Sequence, residues 1–423
     1  MSSPWRRYLR AVPIATAIGL IALLTLEPRP RQAPLSAATP WHCLVCGPLG
    51  TVDVILNLAL FLPLGFALFR AGMTPLGSAL TGLGISGAVE LLQATIVAGR
   101  DSSLSDLVTN ALGAGLGALV ARGAPRLIRP DPVEARRLAV MAAVVWLSML
   151  GFTAWAVQPD LPAAGLTLRR APIVPNFDRF PGEIRLLALN GSEREPGRLA
   201  PGSVSPDEPI LLLAEGTLRS WPEVTAPVAD LVDERSNPVV ILGQLGQKVT
   251  FAVRARSQRV KLRTPTAKLY GALPPPRGQM IAAGGELRDH TLAATAFVDG
   301  RWRTAETRLS AGLGWMLVLP LGFYPFDYRP DITSAIWTAL PLLLLGYWMQ
   351  RSRVRPLAAL LVSVGVCAAG LIVIPPLTGT AAQGWEAALA CALALVLGWA
   401  GARYASRADS ATVPPSARSA ASP

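Results

Sequence analysis

The apolar residues of this chain are gathered in blocks of about twenty, and this block length restricts the folds that the chain can adopt. An α-helix rises 1.5 Å per residue, so about 20 apolar residues cross the ~30 Å hydrocarbon core of a bilayer. Five blocks precede a long polar segment and three follow it, at about 11–26, 52–70, 75–97, 104–121, 138–157, 331–349, 356–377 and 384–402. The pattern predicts a polytopic α-helical membrane protein with about eight transmembrane helices.

Arginines next to the blocks predict the orientation, because cytoplasmic loops are enriched in Lys and Arg. With a cytoplasmic N-terminus, the loop arginines fall mainly on the cytoplasmic side: Arg6, Arg7, Arg10, Arg70, Arg122, Arg126, Arg129, Arg136 and Arg137, against Arg29, Arg31 and Arg100 outside. We therefore expect a bacterial inner-membrane protein with both termini cytoplasmic and residues 158–310 extracytoplasmic. These anchors account for much of the formal charge of +12. The sequence contains no basic stripe with interleaved aromatic residues, so it does not predict a nucleic-acid partner.

The membrane blocks divide the chain into regions. We expect residues 1–157 to form a five-helix membrane region whose first helix is not cleaved, and residues 331–404 to form a three-helix region. The stretch between them, 311–330, is short for a span and contains Pro320 and Pro325. We expect it to be a re-entrant or interfacial segment, or the end of the outer domain. The Ser-, Ala- and Pro-rich tail, 405–423, is expected to be disordered.

The polar segment 158–310 shows the alternation of β-strands. In Lys248–Arg256, apolar residues recur at every second position, and Asp299-Gly300 is a hairpin signal between two strand candidates. The segment therefore predicts an inserted all-β sandwich. Its strand rhythm resembles concanavalin-like or laminin-G-like jelly rolls, a resemblance that implies glycan binding. A sandwich that only supports the structure or contacts a protein is an equal alternative.

Three of the predicted helices carry polar pairs that topology brings to one membrane face. The second predicted helix runs from the outer to the cytoplasmic side, the third runs back, and the fourth runs inward again. This would place the polar pairs and a nearby arginine at the outer leaflet: Asp53 with Asn57, Glu90 with Gln93 and Arg100, and Asp106 with Asn110. Ionisable residues inside spans cost about 2.5–3.5 kcal/mol on insertion scales, so they normally face one another or a wet cavity. These seven residues therefore predict a shared polar pocket, with Glu90 the deepest member.

The same residues resemble the signature of the VanZ-like family. The matching pattern is Asp53-x-x-x-Asn57-x-x-x-Phe61-x-Pro63-x-Gly65, then Glu90-x-x-Gln93, then Arg100 and Asp106-x-x-x-Asn110-x-x-Gly113, over about residues 50–121. The resemblance implies a membrane protein but no particular reaction. The outer β domain and the three extra helices depart from the short family pattern, so antibiotic resistance is not carried over.

Six of these seven polar residues also have a structural interpretation. Asp53, Arg100 and Asp106 lie near helix ends and would serve there as caps or interface anchors. Asparagine and glutamine side chains within spans often form hydrogen bonds between helices, which would explain the remaining amides. The pocket and the packing interpretation both stay open at this point.

A second motif, His42-Cys43-Leu-Val-Cys46, precedes the second block. A Cys-x-x-Cys pair in this position fits a local disulfide, a redox pair or half of a metal site. A disulfide between Cys43 and Cys46, or a capped turn, is favoured in an oxidising compartment. The sequence assigns no metal and no cofactor.

The leading functional hypothesis is an envelope protein of unknown molecular activity that binds an amphiphilic or glycan ligand at the outer leaflet. One alternative is a membrane enzyme acting on lipid-linked or cell-wall substrates, with Glu90, Asp53 or Asp106 as acid or base. The absence of a recognisable nucleophile–base pair disfavours this alternative. The other is a transporter, for which an intramembrane carboxylate is a minimum requirement. The expected partners are the lipid bilayer and an envelope glycan or amphiphile.

Overall fold

The computed structural model describes most of the chain. The described residues are 4–26, 45, 47–96, 104–162, 164–174, 177–204, 208–273, 278–320 and 329–411. Cys43, Cys46 and Arg100 lie outside them.

The helices match the predicted spans closely. They are α1 (Pro4–Thr25), α2 (Gly50–Arg70), α3 (Pro75–Thr95), α4 (Leu104–Ile128), α5 (Pro132–Ala156), α6 (Gly314–Val318), α7 (Pro330–Ala339), α8 (Leu342–Arg351), α9 (Pro356–Ala368), α10 (Ile374–Thr378) and α11 (Trp385–Ala411). Within the described residues, seven segments have the length and hydropathy to cross a membrane: α2 to α5, α7 with α8, α9 through α10, and α11. The remaining predicted span is α1, whose apolar part, Ala11–Thr25, is shorter. The polytopic helical membrane fold is confirmed.

The first four helices pack together through small residues. Gly65 of α2 lies against the backbone of Ala114 in α4, and Gly117 lies against the backbone of Leu62. A Cβ added to Gly113 would be 2.6 Å from the carbonyl oxygen of Leu58. Glycines permit close approach of helix backbones in lipid, where there is no hydrophobic force to draw helices together. The Gly113–Gly117 pair is thus part of the contact between α2 and α4.

The fifth helix belongs to a second bundle rather than to the first four helices. Trp146 and Leu150 of α5 share a core with Leu342 and Leu345 of α8 and with Cys391 of α11. The five-helix grouping expected from the sequence is therefore divided in space. Polar contacts join the two bundles at the far end of α4, where the Trp348 indole donates to the Leu127 carbonyl oxygen at 2.9 Å. The helix α11 runs past the expected start of the tail at 405 and ends at Ala411.

The inserted segment is a two-sheet β-sandwich, as predicted. Its strands are β1 (Thr167–Arg170), β2 (Gly182–Leu189), β3 (Ser192–Glu193), β4 (Gly197–Arg198), β5 (Ile210–Leu218), β6 (Ala226–Val232), β7 (Pro238–Leu245), β8 (Lys248–Val253), β9 (Thr266–Leu269), β10 (Met280–Arg288), β11 (Thr291–Val298) and β12 (Arg301–Arg308). One antiparallel sheet has the order β4-β1-β6-β7-β8-β9, and the other has the order β12-β11-β10-β5-β2-β3.

The two sheets face one another across a shared core. Val249, Phe251 and Val253 of β8 are all buried, as the alternation predicted. The Phe251 ring lies where a side chain on Gly285 of β10 would be, so this glycine admits the aromatic ring between the sheets. The β11–β12 turn has positive φ at Asp299 (50°) and Gly300 (78°), which confirms the hairpin signal.

A network of polar contacts fixes the sandwich to the end of α5. The guanidinium of Arg259 donates to both Asp160 carboxylate oxygens, at 2.9 and 2.6 Å, and Arg254 donates to the Asp160 carbonyl oxygen at 3.0 Å. The hydrogen bond from Arg259 is the main cause that lowers the pKa of Asp160, so this carboxylate is charged at neutral pH. Gln158 donates its side-chain amide to the Thr378 carbonyl oxygen at the end of α10. The sandwich is thus anchored to the second bundle.

The apolar stretch that follows β12 belongs to the sandwich up to Pro320. Leu313 and Leu317 are buried in the sandwich core, and the Arg263 amide donates to the Leu317 carbonyl oxygen at 3.0 Å. Trp315 meets Trp337 of α7 edge to face, with ring centroids 5.1 Å apart. The helix α6 is only five residues long, so this part of the segment does not cross. Residues 321–328 lie outside the described residues.

Replacing Gly117 with alanine should weaken the contact between α2 and α4. The added methyl group would overlap the Leu62 carbonyl, and overpacking of this kind typically costs about 1–3 kcal/mol. We expect a lower thermal unfolding midpoint in detergent, followed by tryptophan fluorescence. Gly123→Ala in the same helix is the matched control, since nothing lies within 4 Å of that position. Equal midpoints for the two variants would contradict the assigned role of Gly117.

Candidate polar binding site

The third helix buries a polar face and exposes its apolar residues. The buried residues of α3 recur every three or four positions along one face: Ser78, Gly82, Ser86, Glu90 and Gln93. Leu76, Leu80 and Leu91 are more than half exposed on the outside of the bundle. This arrangement is the reverse of a water-soluble helix and suits a bilayer, where the leucines face lipid. We refer to the five buried residues as the α3 polar stripe.

Asn57 and Asp106 join α2 to α4 at one end of the bundle. The Asn57 amide nitrogen donates to a carboxylate oxygen of Asp106 at 2.6 Å. Asp106 lies in the first turn of α4, where the backbone amides of a helix N-terminus favour a negative charge. A hydrogen bond to a carboxylate is about twice as strong as a neutral one. A direct hydrogen bond therefore joins the polar ends of α2 and α4.

Ser86 connects the α3 polar stripe to α4. It accepts a hydrogen bond from the Asn110 amide nitrogen at 2.9 Å, and its hydroxyl lies 3.4 Å from the Asp106 carbonyl oxygen. The Asn110 side-chain oxygen is buried and has no hydrogen-bond partner among the described residues. An unsatisfied buried acceptor costs about 1–3 kcal/mol. This oxygen is thus available to a donor that is not part of the described residues.

Gln93 extends the polar contacts to α1. Its side-chain amide donates to the carbonyl oxygen of Thr25 at 2.8 Å. Thr25 is the last residue of α1, so its carbonyl has no acceptor role within that helix. Gln93 therefore turns toward α1 rather than toward Asp106, and it closes the first bundle on that side.

The carboxylates differ in their burial. Glu90 is only 8% exposed, and Asp53 lies in the first turn of α2 with an exposed side chain. Counted along the helices, Glu90 lies about 8 Å from the end of α3, whereas Asp106 lies about 3 Å from the start of α4. Among the three carboxylates, Glu90 is the farthest from the end of its helix. It is the carboxylate that the bundle encloses most fully.

The polar end of the first bundle abuts the β-sandwich. Val52 in the first turn of α2 is fully buried in the sandwich core, and Leu56 packs against the same core. The Lys261 ammonium, in the loop after β8, donates to the carbonyl oxygen of Val45 just before α2 at 2.5 Å. The site therefore lies on the side of the membrane region that carries the β domain.

The structure brings together Asn57, Asp106 and Asn110, directly or through Ser86, and turns Gln93 toward α1. Glu90 is buried on the same face of α3 as Ser86, and Asp53 is exposed in the first turn of α2. Ser86 is the residue that sequence reasoning missed, together with the neighbouring buried hydroxyls of Ser105 and Thr109. The signal was present, since Ser86 precedes Glu90 by four positions and so shares its helix face. Arg100, Cys43 and Cys46 lie outside the described residues, and their predicted roles stay predictions.

The fold and the site define a class: a polytopic membrane protein whose helical module buries a polar face and abuts an inserted β-sandwich. The comparison with protein families agrees, because residues 10–128 match the family model of VanZ/LLP1. The chain therefore contains a VanZ/LLP1 domain, which covers about a quarter of its length and reaches from α1 to the end of α4. The motifs at 50–121 predicted this, and the match adds α1. Among curated proteins and solved structures, no match was found.

The Asn57–Asp106 hydrogen bond should appear as a coupling in a double-mutant cycle. We expect Asn57→Ala and Asp106→Ala to interact by about 1 kcal/mol, because hydrogen bonds between membrane helices measured this way reach at most ~1.7 kcal/mol. The free energy of unfolding is measured in detergent or bicelles. Thr81→Ala with Asp106→Ala is the control cycle, since the Thr81 hydroxyl donates to Gly77 within α3. A coupling no larger than in the control would show that the bond contributes nothing.

Proposed function

We propose that the VanZ/LLP1 domain binds the polar head of an envelope amphiphile at the end of the bundle that abuts the β-sandwich. The observation that carries this proposal is the Asn110 side-chain oxygen, which is buried without a partner among the described residues. A helix pair that needed only to pack would gain stability from an apolar residue at that position. A ligand that donates a hydrogen bond to the Asn110 side-chain oxygen would offset the cost of burying this acceptor.

The chemistry of the α3 polar stripe indicates the kind of head group. Asn110 offers a carbonyl oxygen, and Glu90 offers carboxylate oxygens, which are acceptors when ionised. Such a pair favours a head group with O–H or N–H donors, such as sugar hydroxyls or an ammonium group. The acyl chains of the same molecule would lie along the exposed leucines of α3. An amphiphile satisfies both demands, whereas a fully water-soluble ligand satisfies only the first.

The β-sandwich has a complementary role in this proposal. It covers the start of α2, so it borders the place where the head group would bind. We propose that it contacts an envelope glycan or a partner protein on the extracytoplasmic side, in keeping with its resemblance to glycan-binding jelly rolls. The proposal requires the sandwich to lie outside the cytoplasm.

The orientation is tested by thiol labelling of the full chain in intact cells, with the native cysteines replaced by serine. Glu193→Cys on the sandwich should react with a membrane-impermeant maleimide. Arg355→Cys, between α8 and α9, should react only after the membrane is permeabilised. The expectation rests on the arginine bias of the loops. The opposite labelling pattern would overturn the proposed orientation.

Ligand binding is tested by native mass spectrometry of the purified full chain with its co-purified lipids. Asn110→Leu and Glu90→Gln should each reduce the bound fraction by roughly tenfold or more, since a hydrogen bond to a charged group contributes about 1.5–3 kcal/mol. The matched control is Glu134→Gln in the first turn of α5, outside the first bundle.

Unchanged lipid adducts in variants that keep the wild-type melting temperature would refute binding at this site. A bound lipid that is chemically converted during incubation would instead support the membrane-enzyme alternative, with Glu90 as the first residue to test for acid–base catalysis.

A further inference from the structure

The β-sandwich gathers exposed apolar side chains at one of its ends. Among its described residues, the large apolar side chains that are exposed are Ile173, Trp221, Met280, Phe297 and Trp302. Met280 begins β10, and Phe297 and Trp302 flank the turn between β11 and β12. Single exposed apolar residues are ordinary on a protein surface, whereas a cluster of them marks an interaction site.

This end of the sandwich is opposite to the end that meets the helices. Just after β12, the Leu309 carbonyl oxygen accepts a hydrogen bond from the Ala381 amide, a few residues before α11. The turn at Asp299 and Gly300 lies at the other end of β12, roughly 25 Å away at ~3.3 Å per residue. The cluster is therefore remote from the contacts with the helices, and lipid is not its expected partner.

Phe297 and Trp302 form an aromatic pair on the outer face of the sheet. They lie directly opposite each other on β11 and β12, with ring centroids 5.6 Å apart and ring planes at 63°. Ala296 is buried in the sandwich core, so the side chain of Phe297, which alternates with it, points out of the sandwich. Phe297 is 47% exposed and Trp302 is 52% exposed. The pair thus holds two rings in a fixed geometry with about half of each side chain open to solvent.

A carboxylate lies on the same face, two strands from Phe297. Ala283 pairs with Ala296, so Ala282 is the neighbour of Phe297 on the outer face of β10. Ala282 pairs in turn with Glu215 of β5, whose side chain is exposed. Strands are ~4.8 Å apart, which places Phe297 and Glu215 about 10 Å from each other. Between them the methyl group of Ala282 leaves a shallow gap that one sugar ring would fill.

Two threonines add hydroxyl groups beside the aromatic pair. Thr304 follows Trp302 by two positions, so the two residues share the outer face, and Thr304 is exposed. Thr295 lies directly opposite Thr304 on β11. A hydroxyl both donates and accepts hydrogen bonds, and an ionised carboxylate only accepts them. The face therefore combines an aromatic surface with groups that bind O–H.

The small area of this surface argues against a protein partner. An aromatic side chain buries about 150–250 Å² when fully covered, so Phe297, Trp302 and Met280, each about half exposed, offer roughly 300 Å². A stable protein interface covers about 800 Å² on each partner.

A saccharide fits both the area and the chemistry. The C–H bonds on one side of a sugar ring are attracted to the negative face of an aromatic ring, and its hydroxyls bond with carboxylates and other hydroxyls. The charge of Glu215 would repel an acidic sugar, so a neutral one is favoured.

We propose that this face of the sandwich binds a neutral saccharide, with one sugar ring against Phe297 and Trp302 and its hydroxyls on Glu215, Thr295 and Thr304. The inference deepens the role proposed for the sandwich and rests on it, because envelope glycans lie outside the cytoplasm. The site shares no residue with the head-group site at Asn110.

The test is a calorimetric titration of the purified full chain in nanodiscs with three neutral oligosaccharides: chitotetraose, cellotetraose and maltotetraose. We expect saturable binding of at least one of them below about 10 mM, as is usual for a shallow site with few contacts. Phe297→Ala with Trp302→Ala should reduce the affinity on the order of tenfold or more, because it removes the stacking surface. Trp302→Phe keeps an aromatic face and should retain most of the affinity.

Two further variants separate the polar contact from a general effect of surface mutation. Glu215→Ala should reduce the affinity by roughly threefold or more, since it removes an acceptor for the sugar hydroxyls. The matched control is Ile173→Ala, which removes an exposed apolar side chain after β1, in the other sheet, and should stay within about twofold of the wild type. All these side chains are exposed, so the variants should keep the wild-type melting temperature.

Three results would overturn the proposal: no saturable binding of any of the three oligosaccharides, equal affinities of the wild type and the double variant, or an equal loss in the Ile173→Ala control. A wild-type dimer that the double variant abolishes would overturn it as well, because the face would then be a protein contact. Asn110→Leu should leave saccharide binding at the wild-type level, so the head-group site and the saccharide site can fail separately.

Discussion

The structure depends on one constraint of the bilayer: a polar group inside it must find a partner within the protein. Two residues of the α3 polar stripe, Ser86 and Gln93, meet this constraint through contacts with α4 and α1, while the leucines of α3 face lipid. The same burial brings Asn57 and Asp106 together at the end of the bundle. The need to pair polar groups within the bilayer therefore accounts both for the packing of the first bundle and for the residues that form its polar site.

The β-sandwich connects the two helical bundles at one end. It takes Val52 of α2 into its core on one side, and Asp160, at the end of α5, binds Arg259 and Arg254 on the other. At the opposite end, Trp348 donates to the last turn of α4. Contacts at both ends therefore hold the two bundles in a fixed arrangement.

Much of the candidate site could be predicted because helix periodicity and the alternation of spans place residues by simple counting. Asp106 and Asn57 share a level for this reason, and their contact follows. Residue spacing could not predict which neighbouring helix each polar side chain contacts. Gln93 contacts Thr25 of α1, and Ser86 forms the hydrogen bond with Asn110. These contacts depend on the rotation of each helix about its axis. Small residues such as Gly82 and Gly117 influence that rotation, because they allow a neighbouring helix to pack closely at their positions.

The sequence by itself determined the membrane spans, the β nature of the insert, its Asp299-Gly300 hairpin and the VanZ-like signature, because each is written in local periodicity or spacing. Only the tertiary structure decided that α5 joins the C-terminal helices, that the segment around Leu317 completes the sandwich, and that Trp302 and Glu215 share one face of a sheet. These features bring together residues tens to hundreds of positions apart. No local pattern encodes such contacts, since they arise when packed surfaces and buried polar groups are satisfied together.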